Sequence, residues 1–405
     1  MNKLEKILYH VGNNNSFYKK ILLDNKINDY MNINNYPILT RETVQLNRYN
    51  MFSDGYQLEY YNQKLKHQST SGTLGMPITV YWNYNDWYIS NLSLWRRRQY
   101  YYNIKPDDKF VSFSLGTQGI EKVNSQDIHA IINKNELMIN VSFAMTIDDY
   151  LKITKIIYDF SPRWFYIQPS ILNKLLECYS VFKDLIPKNL KYIETYGELL
   201  TTNIKNNVSK FFDIPIANMY GSEEMNCIAY TNKEEQLYVL DENVYLEVYR
   251  DGKIYNEGIG EAIITNLNNF AMPLIRYSQG DIIELKIKDN NMKEITKIYG
   301  RNSEGFNVGE KNINPFLLSE IIFYVNNDLD DVIRQFQYIY YKNKNKLICK
   351  VVVDFERQLW IEAIKEKMLS LFNEKYGIKF DDFDVINVKN IVTNGKKFKT
   401  IAIEE

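Results

Sequence analysis

The chain has 405 residues, longer than one compact core of ordinary size, because single cores stop growing near ~250 to 300 residues, so two domains are expected. Lys plus Arg (49) and Asp plus Glu (50) nearly cancel to a net charge of -1, which excludes a whole-protein field drawing the chain to nucleic acid or to an acidic membrane surface. Hydrophobic residues at 45 %, with 20 Phe and 33 Tyr, exclude disorder for the bulk of the chain.

The N-terminus, Met-Asn-Lys-Leu-Glu-Lys-Ile-Leu, lacks the apolar core of a secretory signal, and no run of about 18 apolar residues occurs anywhere. Cys178, Cys227 and Cys349 lie far apart with no CxxC pair, so neither a disulfide framework nor a cysteine zinc site is indicated. A cytoplasmic protein, monomer or homodimer, with no nucleic-acid and no membrane partner is expected. The first 60 or so residues carry no motif.

A helix is expected over 86–102. It bears Trp95-Arg96-Arg97-Arg98, read as a solvated basic face rather than a phosphate site. From 137 to 221 the pattern alternates: strand at 137–141, helix at 147–160, strand at 164–167, helix at 170–179, strand at 192–195, helix at 202–212 and strand at 214–217. Such alternation implies parallel strands joined by crossover helices, with ligands beyond the carboxyl ends of the strands. After Gly221 the texture changes to short paired strands, 244–249 and 261–265, around the turn residues Asp251-Gly252 and 256–258. From 302 onward a helix at 315–324, strands at 332–341 and 347–354, and a helix at 359–376 form a unit able to bury its own core. The fold class is therefore α/β: a large layered N-terminal α/β domain with an added antiparallel portion, residues 1–300, and a small mobile C-terminal α+β domain, residues 301–405.

Ser69-Thr70-Ser71-Gly72-Thr73-Leu74-Gly75-Met76-Pro77 interleaves hydroxyls with glycines ahead of an apolar run. Backbone N–H and side-chain O–H groups in such a loop can wrap phosphate oxygens; an ordinary Ser/Gly hairpin is the plain alternative. The segment matches neither GxxxxGK[ST] nor GxGxxG, which removes support for a P-loop NTPase or a dinucleotide dehydrogenase. No G-x-S-x-G is present, and His10, His67 and His129 are scattered, so a serine hydrolase or a histidine metal site lacks support.

The Ser69 to Pro77 loop resembles the TSGTTGKP signature of adenylate-forming enzymes, and further elements follow in that superfamily's order. Gly197-Glu198 follows a strand. Tyr220-Gly221-Ser222-Glu223-Glu224 resembles YG-x-[ST]-E, and Pro273-Leu274-Ile275-Arg276-Tyr277-Ser278-Gln279-Gly280-Asp281 resembles PLIRYRTGD. Tyr299-Gly300-Arg301, the stretch 309–315 and Asn394-Gly395-Lys396 resemble the later elements. The resemblance runs from about residue 68 to the end. It places the chain beside the adenylate-forming, AMP-binding superfamily, in its phenylacetate-CoA ligase-like and capsule-biosynthesis CapK-like branch.

The resemblance implies activation of a small-molecule carboxylic acid by ATP and Mg2+ to an acyl-adenylate. Acyl transfer then follows, to coenzyme A or, alternatively, to a carrier-protein thiol, an amine or a sugar. Ser69, Thr70, Ser71, Gly72, Thr73, Gly75, Gly197, Glu198, Gly221 and Ser222 would line the nucleotide. Tyr220 would stack on adenine, and Asp281 would accept from the ribose hydroxyls. Glu224 offers a hard oxygen for Mg2+, a surface glutamate at a helix start being the plain alternative. Arg301 and Lys396 are the cationic candidates for the positive charge that carboxylate attack on phosphorus needs: the resemblance gives Lys396 that role, with Lys397 the neighbouring candidate, and gives Arg301 a ribose or phosphate contact at the interdomain boundary. The acyl pocket is expected between Phe110 and Val141 and near Gly197 and Asn218.

Three positions depart from the pattern. Met76 stands where the loop lysine is expected, which implies a slower or differently arranged first step. Glu223 stands where Ser or Thr is usual, and Asn302-Ser303-Glu304 replaces the paired aspartates of the interdomain hinge. These departures motivate a second reading, a noncatalytic nucleotide-binding homologue.

Overall fold

A computed structural model of the protein describes residues 1–69, 78–115, 128–141, 145–301, 305–309, 311–313, 315–329, 332–353, 360–389, 391 and 401–404. The chain divides into two compact units, residues 1–279 with 283–297, and residues 280–282 with 298–405.

The larger unit is the layered α/β structure read from the sequence. Strands Glu136–Val141, Phe110–Leu115, Trp164–Ile167, Tyr192–Tyr196 and Ile216–Ser222 lie side by side and run parallel. Helices Ile147–Phe160, Pro169–Val181 and Thr202–Phe212 make the crossovers. Their starts are written locally: Thr146 and Asp149 form a reciprocal capping box, Pro169 opens the second helix, and Thr201 caps the third. Ile153, Ile157, Leu172, Leu175 and Val208 on the helices are buried against Phe165, Ile167 and Ile193 on the strands. Strands covered on both faces read as near-continuous apolar runs, which is why 164–167 was legible.

Beyond Ile216–Ser222 the sheet turns antiparallel. Asn226–Thr231 and Leu237–Val239 follow, and the outer part, Val244–Arg250 against Gly258–Asn266, pairs Val244 with Asn266 and Tyr249 with Glu261. These nine strands belong to a 13-stranded sheet among the described residues.

The motif-free N-terminus folds into helices, Lys3–Asn14 and Ser16–Asp24 first, the former opened by an Asn2/Glu5 capping box. They fasten onto the segment 273–277. The Tyr18 hydroxyl donates to the Pro273 carbonyl and accepts from the Ile275 amide, both at 3.0 Å. Lys3 Nζ donates to the Glu242 carbonyl at 2.6 Å and to Asn268 Oδ1 at 2.8 Å. Arg276, buried, donates Nε and Nη2 to the two carboxylate oxygens of Glu247 at 3.0 and 2.7 Å, and Nη2 to Asn34 Oδ1 at 2.6 Å.

Arg98 overturns the expected solvated basic face of helix Tyr84–Tyr102. It is 6 % exposed and binds the fully buried Glu194 through Nε at 2.8 Å and Nη2 at 2.5 Å. The Tyr192 and Tyr230 hydroxyls donate to the same carboxylate at 2.9 and 2.8 Å. The physical reason is the rings beside it: the guanidinium lies over Trp95 and Trp164, so an arginine stem and plane can be buried there with the charge paired.

The smaller unit carries a four-stranded sheet in the order Asp382–Asn387, Lys346–Val353, Ile333–Tyr341, Ile401–Glu404. Helices Pro315–Asp328 and Ile361–Ser370 belong with it, the second continuing as a π-helical turn over Leu371–Lys375. Leu318, Val325, Leu347, Val351, Ile364 and Phe372 form its own core. No helix among the described residues is long and apolar enough to cross a membrane.

Candidate active site

The hairpin Lys66–Ser69 against Thr79–Trp82 brackets the glycine-rich loop. Ser69 pairs with Thr79, and their hydroxyls share a hydrogen bond of 2.8 Å, closing the neck of the loop. Gln68 Nε2 donates to Glu223 Oε2 at 3.1 Å, which ties this neck to the turn after strand Ile216–Ser222. Thr70, Ser71, Gly72, Thr73, Gly75 and Met76 lie outside the described residues, as do Asn302, Ser303, Glu304, Lys396 and Lys397.

Glu224 is not a surface glutamate at a helix start. The chain reverses at 223–225 into strand Asn226–Thr231, leaving Glu224 4 % exposed. Its Oε1 accepts from the Tyr277 hydroxyl at 3.0 Å, and its backbone carbonyl accepts from Asn266 Nδ2 at 3.4 Å. A buried carboxylate held in one orientation by a phenol is a hard-oxygen donor suited to Mg2+. No group of three or more His, Cys, Asp or Glu side chains gathers among the described residues.

Gln279 links the next two candidates: its Nε2 donates to the Tyr220 hydroxyl at 3.2 Å, and its Oε1 accepts from Ser222 Oγ at 3.0 Å. Gly221 sits where the pairing with Asn226–Thr231 shifts register, and a Cβ there would stand 2.3 Å from the Asn226 carbonyl oxygen. Only glycine fits so close to backbone. Gly197 has φ +74°, and Glu198 beyond it accepts from the Ser170 amide at 3.0 Å and from Ser170 Oγ at 2.9 Å. That carboxylate thus serves the N-terminus of helix Pro169–Val181.

In the smaller unit Asp281 is buried and pairs with Arg301, Oδ1 to Nε at 3.3 Å. Tyr277, Gln279, Asn266 and Gln68 were not singled out from the sequence. Tyr277 and Gln279 stood inside the PLIRYRTGD-like stretch, but their partners are more than 50 residues away, so no local signal marks them. A cavity of about 590 Å3, lined in part by Arg97, Tyr101, Tyr238 and Glu242, shares no residue with the motif set.

The chain matches no protein-family profile. It is 24 % identical over 377 residues to Protein CapK of Staphylococcus aureus, covering 86 % of this chain and 80 % of that one. It is 25 % identical over 243 residues to the fumarate–(S)-2,3-diaminopropanoate ligase of Enterobacter agglomerans, 57 % of each chain. Among solved structures, 2-hydroxyisobutyryl-CoA ligase in the postadenylation state with 2-HIB-AMP superposes with a TM-score of 0.71 at 15 % identity, over 99 % of this chain and 88 % of that one. The chain therefore has the fold of an adenylate-bound CoA ligase. A second adenylate-forming structure, anthranilate CoA ligase AuaEII with anthranoyl-AMP, gives a TM-score of 0.55 at 13 % identity, over 83 % of this chain and 65 % of that one. ATP-bound MatB from Rhodopseudomonas palustris gives 0.54 at 16 % identity, over 82 % and 65 %.

Proposed function

We propose that the protein is an adenylate-forming ligase. It activates a carboxylic acid as an acyl-adenylate with release of pyrophosphate, then passes the acyl group to coenzyme A. The observation that carries this reading is the buried Glu224 carboxylate, oriented by Tyr277, beside a Glu223 that is tied to the neck of the hydroxyl-rich loop.

In the first step a carboxylate oxygen of the substrate attacks the α-phosphorus of ATP. A new P–O bond forms as the bond to the β-phosphate oxygen breaks, and pyrophosphate leaves. The chemistry asks the protein for position and for charge placed where the transition state needs it. Ser69, Thr70, Ser71, Gly72, Thr73 and Gly75 would cradle the phosphates, Tyr220 would face adenine and Asp281 the ribose. Glu224 would hold Mg2+, which when bound offsets phosphate charge. Gly221, Gly197, Ser222 and Glu198 would line the nucleotide; in the fold Ser222 fixes Gln279 and Glu198 holds the helix end. Lys396 and Arg301, from the C-terminal unit, would meet the charge developing at phosphorus.

ATP-pyrophosphate exchange with a broad panel of carboxylic acids tests the first step. Acid-dependent exchange is expected, and nucleotide binding without exchange for every acid would replace this reading with the noncatalytic one. AMP release with and without coenzyme A tests the acceptor. A second acceptor, an amine, is favoured by the likeness to a ligase of fumarate and (S)-2,3-diaminopropanoate. Acid-dependent AMP release that an amine raises and coenzyme A leaves unchanged would select it.

A further inference from the structure

Gln168 precedes Pro169 at the N-cap of helix Pro169–Val181, where Ser, Thr, Asp or Asn is the ordinary choice. Its side chain makes no cap bond, and the helix end is served by Glu198 instead. The Gln168 amide turns to the carboxyl ends of the parallel strands. There Nε2 donates to the Phe113 carbonyl at 3.4 Å and to the Tyr196 hydroxyl at 3.1 Å, while Tyr196 donates to that same carbonyl at 2.6 Å.

This geometry settles which way the amide faces. A carbonyl only accepts, and the Tyr196 proton already points at it, so the group facing both must be the NH2. Oε1 therefore points away from both. Gln168 is 8 % exposed, and Oε1 is buried with no partner among the described residues. Buried acceptors are nearly always paired, and leaving one without a donor is costly.

The location is informative. A Cβ on Gly197 would meet Gln168 Cγ at 3.9 Å, so this side chain lies directly against the Gly197 turn. Burial keeps the Tyr196 phenol protonated, and the Glu223 and Glu198 carboxylates push in the same direction, placing negative charge on this side of the strand ends. Gln168, Tyr196 and Phe113 all belong to the larger unit.

We propose that Gln168 Oε1 is a specificity-determining acceptor in the acyl pocket, and that the activated acid carries an N–H or O–H donor on its own skeleton, as an amino or hydroxy acid does. This rests on the adenylation reading above. A plain acid would leave Oε1 unpaired in the complex, and sites built around a buried polar group reject analogues lacking the matching group more strongly than apolar pockets reject a missing methylene.

The test is ATP-pyrophosphate exchange by the full chain with matched acids: butanoate against its 2-hydroxy, 3-hydroxy, 2-amino and 3-amino derivatives, and benzoate against its 2-hydroxy and 2-amino derivatives. At least one derivative is expected to exceed its parent by about tenfold or more in exchange rate, and the amino and hydroxy arms separate the two donor sources. Gln168→Met is expected to bring that ratio close to one with ATP affinity unchanged. Parents that exchange as fast as every derivative would overturn this inference and leave adenylation standing. A preference that survives in Gln168→Met would overturn the role of Gln168. No exchange with any acid would overturn the adenylation reading and this inference with it. The wild-type ratio decides the substrate class even where the variant fails to fold.

Discussion

Replacing Glu194 by Gln keeps the shape but turns one accepting oxygen into an NH2 donor, and leaves Arg98 charged, 6 % exposed and without its anion. Breaking a buried ion pair by removing one partner costs about 3 to 5 kcal/mol. The aromatic setting reduces the loss: the guanidinium stays 4.5 Å from the Trp95 ring centre and 5.0 Å from that of Trp164, and desolvated cation–π contacts contribute up to ~2 kcal/mol. A net loss of about 3 kcal/mol is therefore expected, a large share of the ~5 to 15 kcal/mol by which a domain is ordinarily stable. Arg98→Met with Glu194→Gln removes the stranded charge and should recover most of it, giving a coupling energy of at least ~2 kcal/mol. Urea unfolding of wild type, both single variants and the double variant, followed by tryptophan fluorescence, measures the cycle, and Trp95 and Trp164 report from the site itself. A loss below about 1 kcal/mol for Glu194→Gln, or single effects that simply add, would refute the argument that the pair is held as a desolvated unit.

Glu224→Gln keeps the Tyr277 contact but removes the charge, so acid-dependent pyrophosphate exchange should fall by about 100-fold or more, with nucleotide binding in EDTA retained; unchanged Mg2+ dependence would discard Glu224 as the cation ligand. Gly221→Ala places a methyl 2.3 Å from the Asn226 carbonyl oxygen, and should lower the melting temperature by several degrees or prevent soluble expression, whereas an unshifted melt would contradict the packing at this bulge. Asp86 is pushed up to about 6, chiefly by burial, with Glu59 adding and the Phe270 amide opposing. The folded state thus holds this proton more tightly than the unfolded chain, and the native form loses stability as pH rises from about 4 to about 6. Asp86→Asn should melt close to wild type at pH 4 and above it at pH 7, and the reverse order would show the carboxylate to be stabilised in the fold.

The parallel core was legible because each element carried its own local signal: apolar runs for strands covered on both faces, helical spacing in 147–160, and hydroxyl or proline starts at Thr146, Pro169 and Thr201. Of the candidate residues, Gly197 and Gly221 were reached only through the resemblance, and the structure supplies their backbone reason, a positive φ at Gly197 and a close Asn226 carbonyl at Gly221. What could not be read were pairings across long sequence gaps. Tyr277 meets Glu224, Gln279 meets Tyr220 and Ser222, and Arg98 meets Glu194 only after the sheet has formed. Three arginines in a row look alike in sequence, and only the aromatic setting of Arg98 distinguishes it from its neighbours. Residues 1–60 stayed opaque because their fixtures, Tyr18 and Lys3 among them, are anchored to groups some 240 to 265 positions later.

That anchoring has a consequence for birth on the ribosome. Helices Lys3–Asn14 and Ser16–Asp24 leave the exit tunnel while the Pro273 carbonyl and the Ile275 amide that receive Tyr18 have still to be synthesised. At ~5 to 20 residues per second, the apolar faces of these helices wait on the order of tens of seconds for their seat. Nascent chains paused between residues 60 and 270 should therefore be strong clients of ribosome-associated chaperones, and chains released past residue 280 much weaker ones.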